Sequence, residues 1–305
     1  MTHDHSRVAL PATAFVALSG VLWGLFWMPF RALGEAGVSG GWASLAFYLC
    51  STLVLLPGAL ARRRRLSSAG IGLFFTGAVA GAAFSLYATA LLLTEVVRVL
   101  LLFYLTPVWG TVLGRALLGE RITPHRAAAL VLGLAGLLVV LGFDHGLPIP
   151  RNAGDWMALL AGIAWAYGSL RIYLQPEVDA YETTFAFFAG GTLVTAAIAF
   201  LPLQANEAVP TLAMLGFAWP WILLLVAVFG VPPVLMTLWG AARLTPGRVG
   251  ILLMGEVAVG VVSAAMWAGE SFGGREILGT ALIVGAAVIE VMQRQGAVAS
   301  GWDKP

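Results

Sequence analysis

The stretch GVLWGLFW at 20–27 returns as GIAWAYGS at 162–169, which places Trp23 opposite Trp165 with a glycine three residues before each. At a constant offset of 150 residues, Arg98 matches Arg248 and Gly119-Glu120 matches Gly269-Glu270. Identity is sparse, but the spacing is consistent and marks two related halves. If each half crosses a membrane five times, an odd number, the second must enter with the opposite orientation. Inverted repeats of this kind build many secondary transporters, with the substrate site near the bilayer midplane where the repeats meet.

Composition supports a membrane setting. Of 305 residues, 60% are hydrophobic and only 10% charged, and mean hydropathy is +0.90. Average soluble chains carry about 25% charged residues. Most segments are apolar all round, whereas a soluble bundle needs charged faces recurring at helical period. The formal net charge of +2 is dispersed at helix ends rather than massed on one surface, which excludes a nucleic-acid partner. With Cys50 as the one cysteine, neither an intramolecular disulfide nor a cysteine-based metal cluster can form. The first apolar run is longer than a signal-peptide core and should stay in the mature chain.

Ten apolar segments are expected at 10–33, 41–60, 69–93, 96–118, 126–141, 156–174, 183–201, 219–238, 249–267 and 277–292. Each has about the length that a helix needs to cross a bilayer, and turn-forming residues separate them. This predicts one all-α transmembrane domain over 1–305, with a first five-helix repeat at 10–141, a second, inverted repeat at 156–292 and a cytoplasmic tail at 293–305. With both termini cytoplasmic, 13 of the 17 Lys and Arg residues face inward, as the positive-inside rule demands. The run Arg62–Arg65 reads as a topology determinant. The segment TLAMLGFAWP, 211–220, is expected along the outer interface.

Candidate chemistry gathers near mid-membrane. At ~1.5 Å per residue, Trp23 lies about 20 Å from the start of its segment and Trp165 about 14 Å from the start of its own. Membrane tryptophans normally collect at the interfaces, so a central pair suggests a polar or hydrated cavity as much as plain packing. Pro29 frees the carbonyl four residues earlier, near Leu25, and supplies a hinge. Helix four carries Tyr104, Thr106, Pro107 and Trp109, and in helix nine Glu256 stands where Thr106 stands in helix four. An ionisable residue inside a spanning helix is a functional candidate by default; Glu256 is suited to hold a substrate ammonium, carry a proton or bond a neighbouring helix. Glu95 and Arg98 are spaced to pair locally, Glu290 and Arg294 to form a snorkelling pair. Glu120 and Glu270 read as loop anchors. Gly77 and Gly81 form a small-residue packing face, while Pro107, Pro232 and Gly255 join Pro29 as hinge candidates. The four histidines fall in the amino-terminal tail or in loops, and enzyme signatures are missing.

Taken together, the Trp23-Gly24 entry helix, its echo at Trp165 and the Gly-Glu closures of helices four and nine resemble the drug/metabolite transporter superfamily, EamA type. The similarity spans nearly the whole chain, and within the superfamily it is closest to the YddG-type exporters of aromatic amino acids, a bacterial inner-membrane group. The resemblance implies a monomer of ten helices around a central cavity, with no cofactor, exporting amino acids by alternating access. The residues add aromatic walls from Trp23, Trp27, Tyr87, Tyr104, Trp109 and Trp165 to stack an apolar side chain, with Thr106 and Glu256 toward the charged end. Export of drugs, cationic amphiphiles or other metabolites on the same fold is the nearest alternative. A lipid-modifying membrane enzyme or a channel is more remote.

Overall fold

The computed structural model describes residues 4–38, 40–141, 149–199, 209–269 and 272–292, and among these all regular structure is helical. The helices group into ten spans. In the first half these are α1 (Asp4–Gly24) continued by α2 (Trp27–Glu35), then α3 (Gly40–Ala61), α4 (Arg63–Leu93), the broken pair α5 (Val96–Phe103) and α6 (Thr106–Leu117), and α7 (Pro124–Leu141). The second half begins with α8 (Ala153–Tyr173) and α9 (Ala180–Ala199). Its eighth span runs from α10 (Leu212–Leu224) through a π-helical segment (Leu225–Gly230) into α11 (Val231–Ala241). The broken pair α12 (Pro246–Leu253) and α13 (Gly255–Trp267) follows, then α14 (Gly274–Met292).

Spans one to five, eight and nine are long and apolar enough to cross a membrane. The other three, α8, α9 and α14, carry more of the polar groups that the bundle uses internally, among them the buried Asp155, Glu182 and Glu290.

Packing follows the repeat. Three spans pack against their own counterparts, α3 on α9, α6 on α12 and α7 on α14, while the contact of α4 with α8 is answered by that of α11 with α1. The contacts of one half thus mirror those of the other. Contacts also sort the loops into two ends. Arg62 approaches Asp179, and Arg126 bonds Thr245 and lies near Glu290, at the arginine-rich end. At the opposite end Arg98 bonds the carbonyl of Ile149, and Arg275 those of Val139 and Val140.

Small residues set the closest approaches. A Cβ on Gly77 would sit 2.3 Å from the Ala186 backbone, and one on Gly81 2.5 Å from the nitrogen of Gly191, so the expected G-x-x-x-G face is what seats α4 on α9. Beyond this contact, Ser85 and Thr195 hydroxyls meet at 2.6 Å. Gly119 and Gly269, repeat mates just past the ends of spans four and nine, take φ of 67° and 72°, the left-handed turn that glycine adopts without strain.

Two expectations need correction. Residues 212–220 are not a separate segment: they form the first part of the eighth span, which reaches Ala241 as one 30-residue stretch. Apolar side chains around the whole of α10, with only Ala218 buried, suit a helix facing lipid. Second, Glu290 is no surface-snorkelling residue. It is fully buried, its Oε1 3.6 Å from Arg248 and 3.9 Å from Arg126. Arg294, its expected partner, Glu270 and the loop 201–208 lie outside the described residues.

Candidate functional site

Besides the kink at Gly70 toward the start of α4, four of the described spans are interrupted, and proline accounts for three of these interruptions. Pro107 cannot donate to Phe103 and its ring crowds that carbonyl; α5 accordingly stops at Phe103, whose carbonyl takes a 2.6 Å hydrogen bond from the Thr106 hydroxyl instead. Pro29 acts likewise on Leu25, whose carbonyl accepts from Met28 at 3.2 Å, and the first span breaks between Gly24 and Trp27. The π-helical turn of span eight ends at Gly230, one residue short of Pro232-Pro233. Span nine breaks at Met254, before Gly255 and without a proline. Met254 is the repeat mate of Tyr104, so the two halves break at the same place.

The broken helices four and nine meet at a small cavity of about 20 Å³, lined by Phe84, Phe103, Tyr104, Thr106, Trp165, Gly250, Leu253 and Glu256. Phe103 and Leu253 are repeat mates, as are Thr106 and Glu256, which puts the cavity on the relation between the halves. Its polar centre is the hydroxyl of Tyr104 donating to Oε1 of Glu256. The other carboxylate oxygen has no hydrogen-bond partner among the described residues. Glu256 stands in the first turn of α13, where the helix dipole favours negative charge. Span one presses on its backbone: a Cβ at Gly24 would come 2.6 Å from the Glu256 carbonyl.

Aromatic rings form the rest of the wall. The Phe84 ring lies between the two repeat-related tryptophans, its centroid 4.6 Å from that of Trp23 and 5.3 Å from that of Trp165. Tyr87 stands one ring back, 4.6 Å from Phe103. Four of the residues singled out in the sequence therefore line the cavity: Tyr104, Thr106, Trp165 and Glu256. Trp23 adjoins it through Phe84, and its buried indole N–H lacks an acceptor among the described residues. Trp27 is engaged elsewhere, its N–H donating to the Ser263 hydroxyl at 3.0 Å and so tying α2 to α13. Trp109 is not among the lining residues. Thr106 already directs its proton to Phe103, leaving lone pairs alone for a ligand.

Sequence reading missed Phe84, Phe103, Gly250 and Leu253. A signal existed for two of them, since Phe84 sits three residues before Tyr87 on one helical face and Phe103 directly precedes Tyr104. It also missed Asp155, the buried carboxylate that Arg98 engages at 2.6 Å and that Thr94 and the Arg151 backbone also bond. Arg248, the repeat mate of Arg98, holds the matching place at the arginine-rich end, bonding the Glu290 carbonyl at 3.1 Å. Glu120 anchors its loop as expected, 2.8 Å from Arg126. Among the described residues no group of three His, Cys, Asp or Glu gathers that would hold a metal.

Ten spans in two related halves, with a carboxylate where two broken helices cross, suit a carrier. The sequence model of the EamA-like transporter family matches residues 10–142 and again 152–292. The chain belongs to the EamA-like transporter family. It is a multi-pass integral membrane protein of the drug/metabolite transporter superfamily, built from two EamA repeats, and its activity is transport rather than catalysis. No protein of curated function matches it. One solved structure, described only as "Crystal structure of protein", superposes with a TM-score of 0.72 over 93% of this chain and 98% of its own, at 20% identity. That likeness is one of fold.

Proposed function

We propose that this EamA-family transporter is a secondary exporter of aromatic and other apolar amino acids, of the YddG type, working by alternating access as a monomer in the bacterial inner membrane. Both termini are cytoplasmic in this reading, the arginine-rich end faces the cytoplasm and the second repeat is inverted. The observation that carries it is the Glu256 carboxylate, held by Tyr104 and facing a box of aromatic rings. A carboxylate beside aromatic faces suits a molecule with an ammonium at one end and a large apolar side chain at the other. The N–H of Trp23, which has no acceptor among the described residues, is a donor for the substrate carboxylate.

A second reading, export of organic cations, draws on the same carboxylate and rings, because among the described residues no Lys or Arg lines the cavity to meet a substrate carboxylate. Uptake of labelled phenylalanine into proteoliposomes, with tryptophan, threonine and an organic cation as competitors, separates them. Saturable uptake that the amino acids compete away, and that Glu256→Gln abolishes, is the expected result. Competition by the cation alone would transfer the assignment to cation export.

A further inference from the structure

We infer that Phe84 is the size gauge of the transport site: its ring, on a span that does not move relative to its neighbours, sets how bulky a side chain the cavity admits. This rests on the proposed amino-acid reading for its substrates, but the geometry behind it does not.

A cavity of about 20 Å³ holds roughly one water, far below the ~300 Å³ at which pockets for small drug-sized ligands begin. Walls must therefore part when substrate enters. Those able to part sit on interrupted helices: Phe103, Tyr104 and Thr106 around the break in span four, and Gly250, Leu253 and Glu256 around that in span nine, with Trp23, just outside the lining, before the break in span one. Phe84 is placed differently. Between the kink at Gly70 and its end at Leu93, α4 is unbroken. It is seated on α9 by backbone approaches at Gly77 and Gly81 and fastened by the Ser85–Thr195 hydrogen bond, one residue from Phe84. It also packs along α8, which carries Trp165.

Shifting α4 would mean separating close-packed backbones, so its ring stays put while the broken spans rearrange around it. The Phe84 ring packs against rings from four helices, with centroids 5.8 Å from Phe187 and 6.2 Å from Phe103 besides the two tryptophans. The repeat mate of Phe84 in the second half is the buried Val234, and the ring which that half contributes is Trp165 on the unbroken α8. Phe84 is the first half's share of the fixed wall, and its bulk is one side chain.

The test compares wild type with Phe84→Ala, Phe84→Leu and Phe84→Trp in proteoliposomes, reading the concentrations of tryptophan and of valine that halve labelled-phenylalanine uptake. Pocket changes of this size shift discrimination by about tenfold or more. Phe84→Ala should move the tryptophan-to-valine preference at least about tenfold toward tryptophan, Phe84→Leu part of the way, and Phe84→Trp in the opposite direction. If Phe84→Ala fails to fold by size-exclusion chromatography, the leucine and tryptophan variants still bracket wild type. An unchanged preference in folded, active variants would overturn the gauge. If wild type carries organic cations instead of amino acids, the amino-acid reading falls, and the same variants are scored with a one-ring and a two-ring cation. A matching shift in rank then supports the gauge, and an unchanged rank overturns it.

Discussion

Among the described residues Glu256 is an acceptor with one oxygen engaged and one open, and Trp23, which adjoins the cavity through Phe84, is a donor with no acceptor. Hydrogen bonds to charged groups contribute about 1.5–3 kcal/mol, against about 0.5–1.5 kcal/mol for neutral ones, so substitutions at these residues should rank accordingly. Glu256→Gln is expected to lower substrate uptake by tenfold or more with the protein still folded. Tyr104→Phe, which leaves the carboxylate in place but less firmly held, should lower it several-fold; both are checked by initial rates in proteoliposomes. Unimpaired Glu256→Gln would remove the carboxylate from the mechanism. Trp23→Phe keeps a ring against Phe84 and removes the N–H together with one fused ring. It should weaken phenylalanine roughly two- to tenfold while leaving phenylethylamine, which lacks the carboxylate, unaffected as a competitor. Equal losses for both compounds would mean that the indole acts by packing.

At the scale of the helices, rigid and interrupted spans divide the work. Span three is a scaffold because glycine removes the side chain where α9 must approach, whereas spans one, four, eight and nine are broken at the centre of the bundle. Gly81→Ala should therefore destabilise strongly, its new methyl 2.5 Å from the Gly191 nitrogen and 2.6 Å from the Phe187 carbonyl. Gly285→Ala in α14, where a Cβ meets nothing within 4 Å, should be neutral or stabilising by up to about 1 kcal/mol, the ordinary preference of a helix for alanine. Melting temperatures of the two variants in detergent check the contrast. A tolerated Gly81→Ala would show that α4 and α9 are free to separate, and with that the argument for a fixed Phe84 would fail.

The molecule as a whole is fastened at both ends by repeat-related arginines. Arg98 bonds Asp155 across spans four and six at one end, and Arg248 meets Glu290 across spans nine and ten at the other, each arginine 6% exposed. Breaking a buried pair by removing one partner costs about 3–5 kcal/mol, because the remaining charge is left uncompensated. Asp155→Asn is thus expected to lower the melting temperature markedly in detergent, whereas Glu35→Gln, in an exposed pair 3.5 Å from Arg31, should leave it nearly unchanged. Similar melting for the two variants would mean that the Arg98 site relaxes to bring in water or another carboxylate.

The amino-acid sequence by itself determined what is local along the chain. Apolar length specified the spans, Pro29, Pro107 and Pro232 marked three of the four interruptions, and the echo of Trp23 in Trp165 with the offset of 150 disclosed the halves. It also reached Tyr104, Thr106, Trp165 and Glu256, because polar and aromatic groups stand out in an apolar helix. Only the tertiary structure decided which faces meet. These helices are apolar nearly all round, so no stripe distinguishes a core-facing ring from a lipid-facing one, and Phe84 in the cavity reads the same as Phe75 on the surface. The partnership of Arg98 with Asp155, the tie between Trp27 and Ser263 and the burial of Glu290 depend on how whole helices rotate and slide against one another. Glycine contacts between helices distant in sequence fix that rotation, and no local pattern records it.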